Sequence, residues 1–76
     1  RFDVSLIPRE KRYPGIILEL KWKEKLSDVE LEKWSNEALK QIGELRYDSE
    51  MKEYGITEIL KFGIAFSGKK VCVRTE

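Results

Sequence analysis

A mixed α/β domain is predicted, in the order strand, strand, helix, strand, strand, and three observations predict it. Both ends of the chain carry apolar and polar residues in two-residue alternation, the middle carries apolar residues at three- and four-residue spacing, and Pro-Gly and Ser-Gly turns punctuate the runs. With 76 residues, the chain is expected to form one domain over 1–76. A domain of that size buries only about 60% of its unfolded surface, so its core is thin.

In the first strand Phe2, Val4 and Leu6 alternate with Asp3 and Ser5, and Pro8 ends the run. A charged connection follows and closes on Pro14-Gly15. Ile16-Ile17-Leu18-Glu19-Leu20-Lys21-Trp22 is the second strand, apolar on both faces at its start and polar on one face at its end. The short connection makes the two strands antiparallel neighbours. Ser27-Asp28-Val29-Glu30 is a capping box, and Leu31, Trp34, Ala38, Ile42 and Leu45 form the apolar stripe of the helix it opens. Asp48 starts a further helical stretch through Met51 and Tyr54, with Gly55 placed for a left-handed stop. Two helices and one long bent helix both satisfy this pattern. Leu60, Phe62, Ile64 and Phe66 alternate with Lys61, Gly63 and Ala65 in the third strand, and the small Gly63 and Ala65 point to a helix packed closely on their face. After the turn Ser67-Gly68-Lys69-Lys70, the run Val71-Cys72-Val73-Arg74 pairs back as an edge strand.

Charged residues make up 38% of the chain, yet net charge is only +1, so global charge argues neither for nor against nucleic acid. The basic clusters at Arg9–Arg12, Lys21–Lys25 and Lys69–Arg74 are read as solvated surface. With no histidine, imidazole acid–base chemistry, Ser-His or Cys-His nucleophiles and His-zinc sites are excluded; carboxylates, lysines and tyrosines remain. The single Cys72 makes no internal disulfide, which fits a reducing, cytoplasmic setting, and its place between two valines gives it a packing role. No apolar run approaches the roughly 18 residues that span a membrane. Because Arg1 opens the chain in the middle of what reads as a strand, the sequence is expected to be a fragment of something longer.

Register brings the chemistry together. A hairpin that buries one face sets Phe2, Val4 and Leu6 beside Ile16, Leu18 and Leu20, so Asp3, Ser5 and Ile7 share the other face with Ile17, Glu19 and Lys21. Asp3 then approaches Glu19 or Lys21, at about 5 Å if directly opposed and about 7–8 Å if diagonal. Two converging carboxylates repel unless a cation joins them, and a hard divalent ion accepts such oxygen ligands. The Leu20 carbonyl is a further candidate ligand, and the Lys21 ammonium can steady a phosphate or a water. The plain alternative is an exposed salt-bridge ladder, worth at most about 1 kcal/mol.

Arg1-Phe2-Asp3-Val4, a short loop and Ile16-Ile17-Leu18-Glu19-Leu20-Lys21 resemble the signature of the PD-(D/E)XK nuclease superfamily. The longer stretch, through Glu37-Ala38-Leu39-Lys40-Gln41-Ile42 and Tyr47 to Lys61-Phe62-Gly63-Ile64-Ala65-Phe66 and Gly68-Lys69-Lys70-Val71, resembles the nuclease-like C-terminal domain of bacterial proteins with an AAA-ATPase-like N-terminal domain. The resemblance implies a restriction-endonuclease-like core, truncated here on its N-terminal side, where the family has a preceding helix and strand. It implies Asp3 and Glu19 as ligands of Mg²⁺ or Mn²⁺, Lys21 as the lysine that positions or activates a metal-bound water, and hydrolysis of DNA or RNA. Gln41 resembles the additional glutamine of some members; that glutamine's tyrosine partner falls where this chain has Leu45, with Tyr47 an approximate substitute. The resemblance also implies an ATPase-like domain in the parent chain, and an unpaired strand edge would favour a homodimer.

Among other residues, Trp22 and Trp34 are read as packing, Tyr47 and Tyr54 as boundary packing, and Glu37 with Gln41 as either solvated helix surface or support above the metal. The leading reading is a divalent-metal phosphodiesterase. The alternatives are an inactive nuclease-like scaffold for binding or oligomerisation, and a metal-independent nucleic-acid-binding module.

Overall fold

The two-residue alternation resolves into strands β1 (Phe2–Leu6), β2 (Gly15–Trp22), β3 (Ile59–Ser67) and β4 (Lys70–Thr75) in a computed structural model that describes residues 2–44 and 47–76. The 3.6-residue pattern becomes helices α1 (Asp28–Ile42) and α2 (Tyr47–Glu53). The expected element order holds, and the helical stretch is two helices rather than one. Leu45 and the side chain of Phe2 lie outside the described residues.

The strands form one mixed sheet in the order β1-β2-β3-β4. β1 and β2 are antiparallel, as the short connection requires, and so are β3 and β4. β2 and β3 run parallel and are joined through the two helices, the crossover that a parallel pair needs. Ser27 caps α1: its hydroxyl accepts from Glu30 N at 3.2 Å, and the Glu30 carboxylate accepts from Ser27 N at 3.0 Å. Gly55, with φ 97°, stops α2 in the left-handed region.

Both helices lie on the sheet face that carries the odd-numbered residues of β2 and β3. Gly63 permits this closeness, because a Cβ there would overlap the Ser35 carbonyl oxygen and the Leu39 backbone nitrogen. One cluster gathers Ile17, Ile42, Met51 and Ile56, with Tyr47 packed against it; a second gathers Leu26, Leu31 and Ala65, with Trp34 and Cys72 at its edge. The packing role expected of Cys72 is thereby met. Buried Ser67 accepts from Leu26 N at 2.8 Å and ties the start of α1 to the end of β3.

The opposite face departs from expectation. The apolar residues predicted to be the buried side of the hairpin lie on a face that no described element covers. Val4 and Leu6, Ile16, Leu18 and Leu20, Leu60, Phe62, Ile64 and Phe66, and Val71 and Val73 are all half-buried or exposed. Trp22 falls on this face and is 62% exposed, so its expected packing role is corrected. Tyr54, also read as packing, is exposed beside Lys11, whose ammonium lies 5.7 Å from its ring centre.

Candidate functional site

The hairpin register places Asp3 directly opposite Glu19, with Phe2 opposite Leu20 and Val4 opposite Leu18. Directly opposed residues share a face, with Cβ atoms about 5 Å apart, so both carboxylates rise from neighbouring strands on the helix-covered side. Lys21 lies one pleat further along that face. In the parallel pair Glu19 is matched to Gly63 and Lys21 to Ala65. The close seating of α1 on Gly63 therefore covers Glu19, which is fully buried, while Asp3 and Lys21 are half-buried. The site is a sealed carboxylate flanked by a more open carboxylate and an ammonium.

The donor chemistry suits a hard divalent cation. Two adjacent carboxylates supply charged oxygens, and waters and a substrate phosphate ordinarily complete such a shell. No group of three or more His, Cys, Asp or Glu side chains with metal-holding geometry occurs among the described residues. Leu20 is matched to Phe2 on one side and Ile64 on the other. A carbonyl has two lone pairs, so a ladder bond leaves it one for a cation.

Helix α1 contributes one edge to the site. Its far edge sits over β4, where Glu32 meets Arg74 at 3.4 Å and the Ser35 hydroxyl donates to Cys72 Sγ at 3.3 Å. Trp34, Glu37 and Gln41 recur at three- and four-residue spacing on the other edge, the one that turns toward β2. The Trp34 ring centre lies 5.7 Å from Lys21 Nζ and 5.5 Å from Lys23 Nζ. Lys21, Glu30, Lys33, Trp34 and Glu37 line a cleft of about 510 Å³. Glu37 thus shares a cleft with Lys21. Gln41 is half-buried, and its Oε1 is buried with no hydrogen-bond partner among the described residues. Trp34, expected in the core, packs against the second core cluster and is also a half-buried wall of the cleft. Sequence reasoning missed that wall along with Lys23 and Lys33. Its signal was the Trp34–Glu37–Gln41 spacing, once the helix edge facing β2 was known.

A hairpin that opposes two carboxylates, a lysine one pleat on, and a crossover helix laid across them define a restriction-endonuclease-like core. The chain belongs to the PD-(D/E)XK nuclease superfamily, whose family model matches residues 1–76. Members of that superfamily generally use divalent metals. Neither a comparison with curated proteins nor one with solved structures returns a match.

Proposed function

We propose that this chain is a divalent-cation-dependent phosphodiesterase domain that hydrolyses DNA or RNA. The observation that carries the reading is the direct opposition of Asp3 and Glu19, with Lys21 beside them on the same face. Asp3 and Glu19 would hold Mg²⁺ or Mn²⁺, with the Leu20 carbonyl as a further oxygen ligand. A cation bound there supplies charge neutralisation at the phosphate and a more acidic water. Lys21 donates a hydrogen bond to a non-bridging phosphate oxygen or steadies the attacking oxygen. Gln41, whose amide oxygen has no hydrogen-bond partner among the described residues, would accept a hydrogen bond from the water. The backbone of α1 over Gly63 keeps bulk solvent from Glu19, which strengthens each of these charges.

Calorimetric titration with Mn²⁺ tests this reading. The wild-type chain should take up the ion, and Asp3→Ala and Glu19→Ala should each abolish uptake together with plasmid cleavage. Equal uptake by wild type and both variants would remove the cation site.

The bare apolar sheet face supports a second reading, a nuclease-like scaffold that acts by assembly with a second copy of the chain. A stable interface needs about 800 Å² from each partner, with an apolar centre, and this face offers apolar side chains on all four strands. A dimer on size exclusion, with no cleavage under Mn²⁺, would favour it over the enzyme. The resemblance to ATPase-linked proteins supports a parent chain in which residues 1–76 are one domain beside an ATPase-like one.

A further inference from the structure

The cleft beside Lys21 is built unlike an ordinary patch of helix surface. Trp34 packs at the edge of the Leu26, Leu31 and Ala65 cluster, which anchors its ring, and it also lines the cleft. The ammonium groups of Lys21 and Lys23 each lie within 6 Å of the ring centre. The Lys23 backbone is fixed by donation from its N–H to Phe66 O at 3.2 Å, and its side chain is exposed. A base stacking on the ring would therefore displace the two ammonium groups from over it to its edge. Lys33 adds a third cation. Of the two acids in the lining, Glu30 accepts from Ser27 N in the cap of α1 and lies near Lys23 and Lys33, and Glu37 is the other.

A fixed indole bordered by cations is how proteins hold single-stranded nucleic acid: the base stacks and the neighbouring phosphates meet the lysines. Inside a duplex both faces of a base are covered by its neighbours, so only an unpaired base can lie on this ring. We infer that the Trp34 ring is a stacking platform for one unpaired base of a single-stranded nucleic acid, with Lys21, Lys23 and Lys33 taking the flanking phosphates. The inference deepens the nuclease reading and rests on it for the class of ligand. It places the stacked base beside Lys21, next to the phosphate that Asp3 and Glu19 would address.

The test reads binding rather than turnover. Trp34 fluorescence is isolated in a Trp22→Phe background, since Trp22 lies exposed on the opposite sheet face. A short oligothymidylate and a blunt-ended duplex of equal length are titrated in EDTA. Oligothymidylate should quench Trp34, and the duplex should quench it far less. Followed by the anisotropy of a dye-labelled oligothymidylate, Trp34→Leu should weaken binding about tenfold, while Trp34→Phe keeps most of the affinity and serves as the variant that preserves packing. Lys23→Ala should reduce the slope of log affinity against log salt by about 0.7. Unchanged affinity in Trp34→Leu, or equal quenching by duplex and single strand, would overturn the proposal. Quenching without Mn²⁺ uptake by the wild type would remove the cation site and leave the stacking platform standing. Mn²⁺ uptake without quenching would do the reverse.

Discussion

At Gly63 the missing side chain lets α1 descend until its backbone fills the space where a Cβ would stand, and the neighbouring Glu19 is covered as a result. Gly63→Ala should therefore lower stability by about 2–3 kcal/mol, since neither the Ser35 carbonyl nor the Leu39 nitrogen can retreat without moving the helix. Urea denaturation measures the loss, and the same variant should take up Mn²⁺ more weakly because the Glu19 side loses its cover. Ile17, fully buried between Ile42 and Met51, should cost about 2–5 kcal/mol when truncated to alanine. The shared face of Asp3, Glu19 and Lys21 was legible in the sequence. Glu19 and Lys21 fall on one face because side-chain direction along a strand has a period of two, and Asp3 joins them because the hairpin register opposes it to Glu19. The degree of covering was not legible. It depends on how closely a distant helix approaches, and a strand pattern does not encode that distance.

Among the elements, α1 carries its own start signal. Ser27→Ala removes one half of the reciprocal cap and should destabilise the protein by about 1 kcal/mol, read from the thermal midpoint. The cap also gives a pH response. Hydrogen bonds from the Ser27 backbone N–H, and secondarily its side chain, hold the Glu30 carboxyl below its ordinary value of 4.5. The folded state therefore binds this proton less readily than the unfolded chain. The associated stabilisation is present above the ordinary carboxylate range and is lost as pH falls through the lowered value. Acid titration followed by circular dichroism should show that component in the wild type and not in Glu30→Gln. The capping box, the Gly55 stop and the four strands were all readable because each is a local signal. The face given to the helices was harder, because two signals conflicted. Apolar pairing in the hairpin pointed to the even side as the interior, while small Gly63 and Ala65 pointed to the odd side. The small residues decided it: a helix cannot approach without them, whereas an apolar strand face can stand uncovered.

Seen whole, the molecule is a slab of 41 × 21 × 18 Å with a radius of gyration of 13.4 Å, larger than the roughly 11 Å of a spherical domain of this length. Helices laminate one side only. The uncovered side exceeds the scattered apolar exposure usual on soluble proteins. It should bind a fluorescent apolar dye such as ANS in the folded state, and Leu6→Thr with Val71→Thr should reduce that binding while changing stability by less than about 0.5 kcal/mol for each position. A loss comparable to that of Ile17→Ala would show that the face is covered in solution.

That wetted face leaves a mark on the thermodynamics of unfolding. Heat capacity rises on unfolding in proportion to the apolar area newly hydrated, and a chain of 76 residues with an ordinary interior would gain about 1 kcal/mol/K. Much of the hydrocarbon of β1 to β4 is already hydrated here before the chain melts. Calorimetry on the monomer should therefore give a smaller increment and a flatter, broader stability curve, and whatever molecule comes to rest on the sheet should restore the missing curvature as it binds.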